Sequence, residues 1–499
     1  MHSKNLFILK PYYDFKLEYL YSIIADKLND FEEGLKCCNI CIENNINLDL
    51  CTKNANIYKI KLNKDKSLKE ISLKDSNKIL FFTLFPNEKM NYSYYLNNAL
   101  GGSETAIYNM ATQLVQKCKD KEIIIAGNIN EEEVKINDSL IKCININSLK
   151  NLLLEYKFET IIISRYLSFF DIFPYYKCNN LIVYQHDVHF LPNYKQSYSL
   201  LKNNIDKIDH IINLTEWQKN NTIKLYDFLK NNENKINIIN NGLDLETIKK
   251  YENNKKYRNS FIYTSRPERG LKKVLELWKD IKQQLPNATL KISSYNSCDE
   301  EYLNIIKDLK DVNFLGQLNK DELYKHISQS EYWLYPTNWQ ETSCITAMEM
   351  LALKVICIYY PVAGLNDTIG KYGVKITQGN EIKTITSLND TIKANLRTNG
   401  YNYSRTLSWC NQADKLINTI NNRKKIWIFY CLPHYEVRMI EQYIINLNNN
   451  NIFNDYTISI INDKNKILNS KPDKLTFIFD SINDINFFNK LLKNTTFSY

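Results

Sequence analysis

Short apolar runs alternate with helical patterns along most of this chain, and that alternation constrains the fold more than any other feature. The first series is Ile79-Leu-Phe-Phe-Thr-Leu-Phe85, Ile123-Ile-Ile-Ala126, Thr160-Ile-Ile-Ile-Ser164, Leu181-Ile-Val-Tyr-Gln185 and His210-Ile-Ile-Asn-Leu214. These runs lack the every-second-residue polar positions of a strand with one wet face, so both faces are expected to be covered. Strands joined through helices lie parallel. A second series opens near Asn240, with Ser260-Phe-Ile-Tyr-Thr264, Ala288-Thr-Leu-Lys-Ile-Ser293, Val312-Asn-Phe314, residues 331–335 and Val355-Ile-Cys-Ile-Tyr359. A chain of 499 residues is too long for one core. The expected class is α/β, with one Rossmann-like domain over residues 76–240 and a second over 241–422.

Two segments lie outside this alternation. Residues 13 to about 70 read as helices. Leu17, Leu20, Ile23, Ile24 and Leu28 suit the apolar face of one helix, and Phe31, Leu35, Cys38, Ile40 and Ile42 that of a second, with a turn at Asn29-Asp30. Through its Asp-Phe-Glu-Glu-Gly-Leu-Lys segment the pair looks like a single tetratricopeptide unit. One such unit cannot bury its own face, so it is expected either to pack on the next domain or to continue into the stretch from Leu48 to Tyr58, within residues 1–75. A helical cap and an element that binds a protein partner both fit this segment. Residues 423–499 restart an α/β pattern with Ile426-Trp-Ile-Phe-Tyr430, Tyr456-Thr-Ile-Ser-Ile-Ile461 and Leu475-Thr-Phe-Ile-Phe479, a short extension of unknown role.

The net charge of +9 is spread along the chain without a basic run, and no nucleic-acid motif accompanies it, so a nucleic-acid partner is not expected. A mild attraction to nucleotides or to an anionic membrane surface fits this charge. Met1-His-Ser-Lys-Asn-Leu-Phe-Ile-Leu-Lys-Pro11 has too short an apolar run for a signal peptide, and no stretch has the length to span a bilayer. The expected location is cytoplasmic, at most peripheral at a membrane. Cys37, Cys38, Cys41 and Cys51 cluster, but the first three fall in a helical pattern. No His lies near them and no second Cys-x-x-Cys occurs after them, so they read as reduced, buried thiols.

Chemistry concentrates in one run, Tyr335-Pro-Thr-Asn-Trp-Gln-Glu341-Thr-Ser-Cys-Ile-Thr-Ala-Met-Glu349-Met-Leu-Ala352. An aromatic strand ends at Pro336, a polar loop comes next, and Ile345, Met348 and Ala352 then mark one face of a helix. Glu341 is expected in the loop and Glu349 one to two turns inside the helix. Between them the backbone N–H groups of Thr342, Ser343, Cys344 and Ile345 form an anion-binding helix start. Two acids beside an anion site suit a ligand that is part phosphate and part polyol, such as a sugar nucleotide. Three more loops sit at strand ends. Gly101-Gly102-Ser103-Glu104 lets backbone approach a ligand where a Cβ would collide. Tyr263-Thr-Ser-Arg266-Pro-Glu-Arg269-Gly270 offers two guanidinium groups suited to phosphate oxygens. Tyr184-Gln-His186-Asp187-Val-His189 places a histidine where open α/β sheets bind ligands.

With this strand–loop–helix setting, the Glu-x7-Glu run resembles the retaining GT-B glycosyltransferases of family 4, and residues 79 to about 420 keep the family's order of segments. The resemblance implies a GT-B architecture, two Rossmann-like domains facing a cleft, with the acceptor side first and the donor side second. It implies that Glu341 holds donor-sugar hydroxyls and Glu349 the nucleotide ribose. Gly101 and Gly102 would line the donor. Arg269, with Arg266 as second cation, would neutralise the diphosphate in place of the family's Arg and Lys. His186 would lie near donor sugar and acceptor. Arg165-Tyr166, Thr215-Glu-Trp-Gln-Lys219, Asn240-Asn-Gly242-Leu-Asp244 and Ser408-Trp409 also resemble family positions, the last starting a helix that crosses back to the first domain. Leu353-Lys354 stands where the family usually has a glycine, so the turn into Val355 is expected to differ. The implied activity is sugar transfer from a nucleotide-sugar donor with retention, needing neither metal nor cofactor, to a glycan, lipid or protein acceptor. A GT-B sugar-nucleotide epimerase or phosphorylase, and a non-catalytic scaffold carrying a degenerate transferase, remain as alternatives.

Overall fold

In the computed structural model the described residues are 16–28, 30–69, 73–98, 100–136, 138–294 and 299–421, with the strands 425–430, 456–461 and 476–478 of the tail. They fall into two compact units.

The first unit comprises the residues up to Asp75 with 150–157 and 175–177. Its helices are Lys16–Leu28, Phe31–Glu43 and Leu48–Lys69. Asp30 caps the second helix by accepting from Glu33 N, and Tyr21 donates to its other carboxylate oxygen at 2.7 Å. The face expected to be buried on the first helix is exposed instead. Leu17 is 81% exposed, and Leu20, Ile23, Ile24 and Leu28 also face outward, while Ser22 and Ala25 are buried. Close approach is the reason: a Cβ on Gly34 would lie 2.4 Å from the Ala25 Cβ, so the helices meet through their smallest residues. Cys37, Cys38, Cys41 and Cys51 are buried free thiols, and burial pushes Cys38 up to about 11. Strand β1 (Lys74–Asp75) pairs in parallel with Tyr156 and Lys157.

The second unit holds both Rossmann-like domains. Strands β2 (Lys78–Phe82), β3 (Glu122–Gly127), β4 (Glu132–Ile136), β5 (Ser139–Asn145), β6 (Tyr156–Ser164), β7 (Cys178–Tyr184), β8 (His210–Asn213) and β9 (Ile236–Ile238) are ordered β4-β5-β3-β2-β6-β7-β8-β9. All pair in parallel except the β4–β5 hairpin at the edge. Apolar periodicity does not reveal that hairpin, because the exposed β4, Glu-Glu-Val-Lys-Ile, has no apolar run to betray it. The second sheet comprises β10 (Ser260–Thr264), β11 (Thr289–Ser293), β12 (Val312–Gly316), β13 (Tyr332–Tyr335), β14 (Ile356–Tyr359) and β15 (Val374–Lys375), ordered β12-β11-β10-β13-β14-β15 and wholly parallel.

The chain returns to the first domain at its end, as the sequence implied. Trp409, Ala413, Leu416 and Ile420 of the helix Trp409–Asn421 belong to the core around the first sheet, and Lys117 pairs with Asp414 at 2.8 Å. The crossing is tight. A Cβ on Gly242 would lie 2.6–2.7 Å from Trp409, and Leu243 bonds Leu407 O and Trp409 N on either side of Ser408. Lys354 itself adopts the left-handed backbone, φ +58°, where a glycine would be relaxed. The turn therefore keeps a glycine-like conformation, at a strain of roughly 1–2 kcal/mol. In the tail, β16 (Lys425–Tyr430) lies between β17 (Tyr456–Ile461) and β18 (Thr476–Ile478), parallel to both. No described helix is long and apolar enough to cross a membrane.

Candidate functional site

The site lies at the C-terminal ends of the strands in both domains, where open parallel sheets bind ligands. After β10 the chain makes one turn, Pro267–Arg269, and stops at Gly270. Gly270 has φ +124°, and a Cβ there would lie 3.2 Å from Pro336 O. Only glycine suits both demands, so the β10 turn packs directly on the loop after β13. That contact brings two sequence-predicted residues together: Arg269 Nη1 lies 2.9 Å from Glu341 Oε1. The same oxygen accepts from Tyr335 Oη at 2.8 Å, and Tyr335 Oη is 3.3 Å from Ser265 Oγ. The Arg269 guanidinium also sits 4.9 Å from the ring centre of Trp339. Arg266, at the start of the turn, is more exposed, 3.9 Å from Glu268.

The loop carrying Glu341 is fixed from behind. Gly364 N donates to Glu341 O at 2.8 Å, and a Cβ on Gly364 would lie 2.2 Å from Thr342 O. Thr342 ties the two domains: its hydroxyl donates to His186 O at 2.7 Å, and its carbonyl accepts from Thr215 Oγ1 at 2.9 Å. Cys344 is the N-cap of the helix Ile345–Ala352, and its N–H points at Thr368 Oγ1, 3.5 Å away. The helix start therefore lies slightly later than residues 342–345, with Met348 N the donor to Cys344 O. Among the described residues the buried Ser343 hydroxyl has no hydrogen-bond partner. Ile345 faces the glycine loop, since a Cβ on Gly102 would meet its Cδ1 at 3.8 Å. Gly101 is the exposed N-cap of the helix Gly102–Lys117. Glu349, the fifth helical residue, is buried and accepts from Tyr324 Oη at 2.7 Å. Lys320 Nζ is 3.7 Å from the same oxygen.

The first domain presents His186, nine-tenths buried, with its ring 4.2 Å from that of Tyr184. Among the described residues its Nε2 has no hydrogen-bond partner. Burial, and then the Arg165 cation, push the imidazole down to about 3, so the ring is neutral at physiological pH. His189 is engaged elsewhere, its Nδ1 2.8 Å from Phe190 O. Sequence reasoning missed the ion network beside His186. Arg165, at φ +65°, bonds Asp187 through Nε at 2.7 Å and Nη2 at 3.2 Å, and Glu104 through Nη1 at 2.9 Å. Glu104 and Arg165 were visible at strand ends, but nothing local joins residues 61 positions apart. Among the described residues no group of three or more His, Cys, Asp or Glu is placed to hold a metal ion.

Residues 244–404, the second domain with Arg269, Glu341 and Glu349, match the family model described as Glycosyl transferases group 1. No curated protein matches the chain in sequence. Among solved structures, the chain is similar to a sucrose-phosphate synthase from Thermosynechococcus elongatus, with 13% identity and a TM-score of 0.53 over 69% of this chain and 98% of that one. A glycosyltransferase from Rickettsia africae ESF-5 gives 14% identity and 0.52 over 69% and 98%. Anabaena Alr3699/HepE in complex with UDP gives 13% and 0.51 over 69% and 100%. At these identities the likeness shows the fold, which is GT-B.

Proposed function

We propose that this protein is a metal-independent glycosyltransferase that moves a sugar from a nucleoside-diphosphate donor to an acceptor with retention of anomeric configuration. The observation that carries the reading is the Arg269–Glu341 pair, 2.9 Å apart, with Glu341 in the loop that leads into the helix Ile345–Ala352, which carries Glu349. In this reading the guanidinium serves the diphosphate, the carboxylate beside it the sugar hydroxyls, and the buried Glu349 carboxylate the ribose. The group 1 family match over the same residues supports it.

In this reading the bond from the anomeric carbon to the diphosphate oxygen breaks as the acceptor oxygen bonds to the same face. The acceptor proton goes to the departing phosphate oxygen. Negative charge grows on the diphosphate, where Arg269, Arg266 and the amides at the start of Ile345–Ala352 are preorganised to meet it. Glu341 exchanges part of its pairing with Arg269 for sugar hydroxyls, and Glu349 holds the ribose. Neutral His186 directs its unpartnered Nε2 to the sugar or the acceptor as a hydrogen-bonding group, not as an acid. The acceptor is a glycan, a lipid or a protein, and the tetratricopeptide-like helices are a surface for a protein partner. The protein needs no metal and no cofactor beyond its donor substrate, and works in the cytoplasm.

UDP, bound by the HepE protein, is the first nucleotide to try. Saturation-transfer NMR with a panel of nucleotide sugars identifies the donor, and the anomeric coupling of the product reports retention. With that donor, EDTA should leave most activity while Arg269→Ala lowers it roughly tenfold to hundredfold, the loss of a charge-assisted contact. Activity abolished by EDTA and restored by Mn²⁺ or Mg²⁺ refutes the metal-independent reading.

A further inference from the structure

The two oxygens of Glu349 are in different situations. Oε1 accepts from Tyr324 Oη at 2.7 Å and has Lys320 Nζ at 3.7 Å. Among the described residues no protein donor is bonded to Oε2. We propose that Tyr324 is a positioning residue for nucleotide binding: its hydroxyl ties down Oε1 and so presents Oε2 to the ribose hydroxyls of a nucleoside diphosphate. The inference rests on the reading of Glu349 as the ribose-binding residue.

Tyr324 is suited to the task because it cannot move. It is fully buried within the second domain's core, and its ring packs against that of Tyr251 at 6.1 Å and 63°. Its helix, Lys320–Gln329, is fixed at the start by Asn319, which accepts from Glu322 N at 2.9 Å. A glutamate has three side-chain torsions, the last of them broad. Without an anchor the carboxylate would sample orientations that a ligand would have to remove on binding. Burial and the neighbouring Glu349 charge hold the Tyr324 phenol well above its ordinary range, so it remains a donor wherever the protein is folded. Lys320 cannot replace it. Its side chain is 55% exposed and its 3.7 Å contact supplies charge rather than direction.

A buried tyrosine bonded to a carboxylate can also serve folding alone, and the ribose separates the two roles. Calorimetry on the full chain compares UDP, or GDP or ADP if the wild type binds one of those instead, with its 2′,3′-dideoxy analogue, for wild type and Tyr324→Phe. The wild type should lose at least about tenfold on removal of the ribose hydroxyls, as expected for hydrogen bonds to a charged group. Tyr324→Phe should bind the normal nucleotide about tenfold more weakly than wild type and treat the two ligands alike within about threefold. Equal weakening of both ligands, or wild-type affinity for the normal one, overturns the inference while leaving Glu349 in place. A wild type that binds both ligands equally, or none of the nucleotides, removes the ribose reading of Glu349 and the inference with it. Should Tyr324→Phe fail to fold, the same change is made with Glu349→Gln, where no buried charge loses its partner. Against Glu349→Gln alone it should then cost less than about threefold, and a further tenfold loss overturns the inference.

Discussion

Glu349 and His186 show how far single residues can be argued. Glu349→Gln keeps the shape of the side chain and the Tyr324 bond but removes the charge. A hydrogen bond to a charged group contributes about 1.5–3 kcal/mol, so nucleotide affinity should fall roughly tenfold to hundredfold with the fold intact. Unchanged affinity by calorimetry removes Glu349 from the site. His186 makes a prediction in pH. Its imidazole is held at about 3 in the folded chain, against about 6.5 when unfolded. Below 6.5 the unfolded chain takes up a proton that the native ring refuses. The stability is therefore complete above 6.5 and is lost as pH falls towards 3, by at most about 1.4 kcal/mol per pH unit. Carboxylates add their own acid lability, so the readout is the difference between variants: denaturation midpoints of His186→Gln should fall less steeply than wild type between pH 6.5 and 4. Parallel curves would mean that His186 takes up its proton normally.

At the scale of elements, the site depends on glycines that let loops touch. Gly364 packs under the Glu341 loop, where a Cβ would stand 2.2 Å from Thr342 O and 2.8 Å from Glu341 O. Both neighbours are backbone and cannot turn aside. Gly364→Ala should therefore cost about 1–3 kcal/mol of stability and shift Glu341 away from Arg269. Thermal melting measures the first, and donor affinity, falling more than tenfold, the second. A variant with wild-type stability and affinity would show that the loop relaxes freely.

For the whole molecule, the two domains are held by long-range bonds. Besides Thr342 with His186 and Thr215, Asp367 accepts from Trp217 N at 2.6 Å, capping a helix of the first domain from the second. Every residue proposed to contact the donor precedes Leu365, and the returning helix ends at Asn421. A chain truncated after Asn421 should bind the nucleotide within about threefold of the full chain, and expose any face the tail covers, with lower solubility as the sign. A soluble, folded truncation that has lost nucleotide binding would place the tail in the active site.

The sequence by itself determined the α/β class and the parallel strands of both sheets, because these depend on local apolar periodicity and strand ends. The returning helix was implied only by the family resemblance, and the antiparallel β4–β5 edge of the first sheet was not legible. The tertiary structure alone decided which side chains meet. Arg269 and Glu341 are 72 residues apart, Tyr324 and Glu349 are 25 apart, and Arg165 gathers one acid from the first turn of a helix and another from a loop. No pattern along the chain encodes those pairings, since they arise where elements remote in sequence pack together. The first helix makes the same point in reverse. Its apolar spacing was legible, but the approach of Ala25 to Gly34 decided which face was buried. Lys354, too, holds a glycine's conformation against its own preference, because the turn between the Glu349 helix and β14 is fixed by the elements packed on either side.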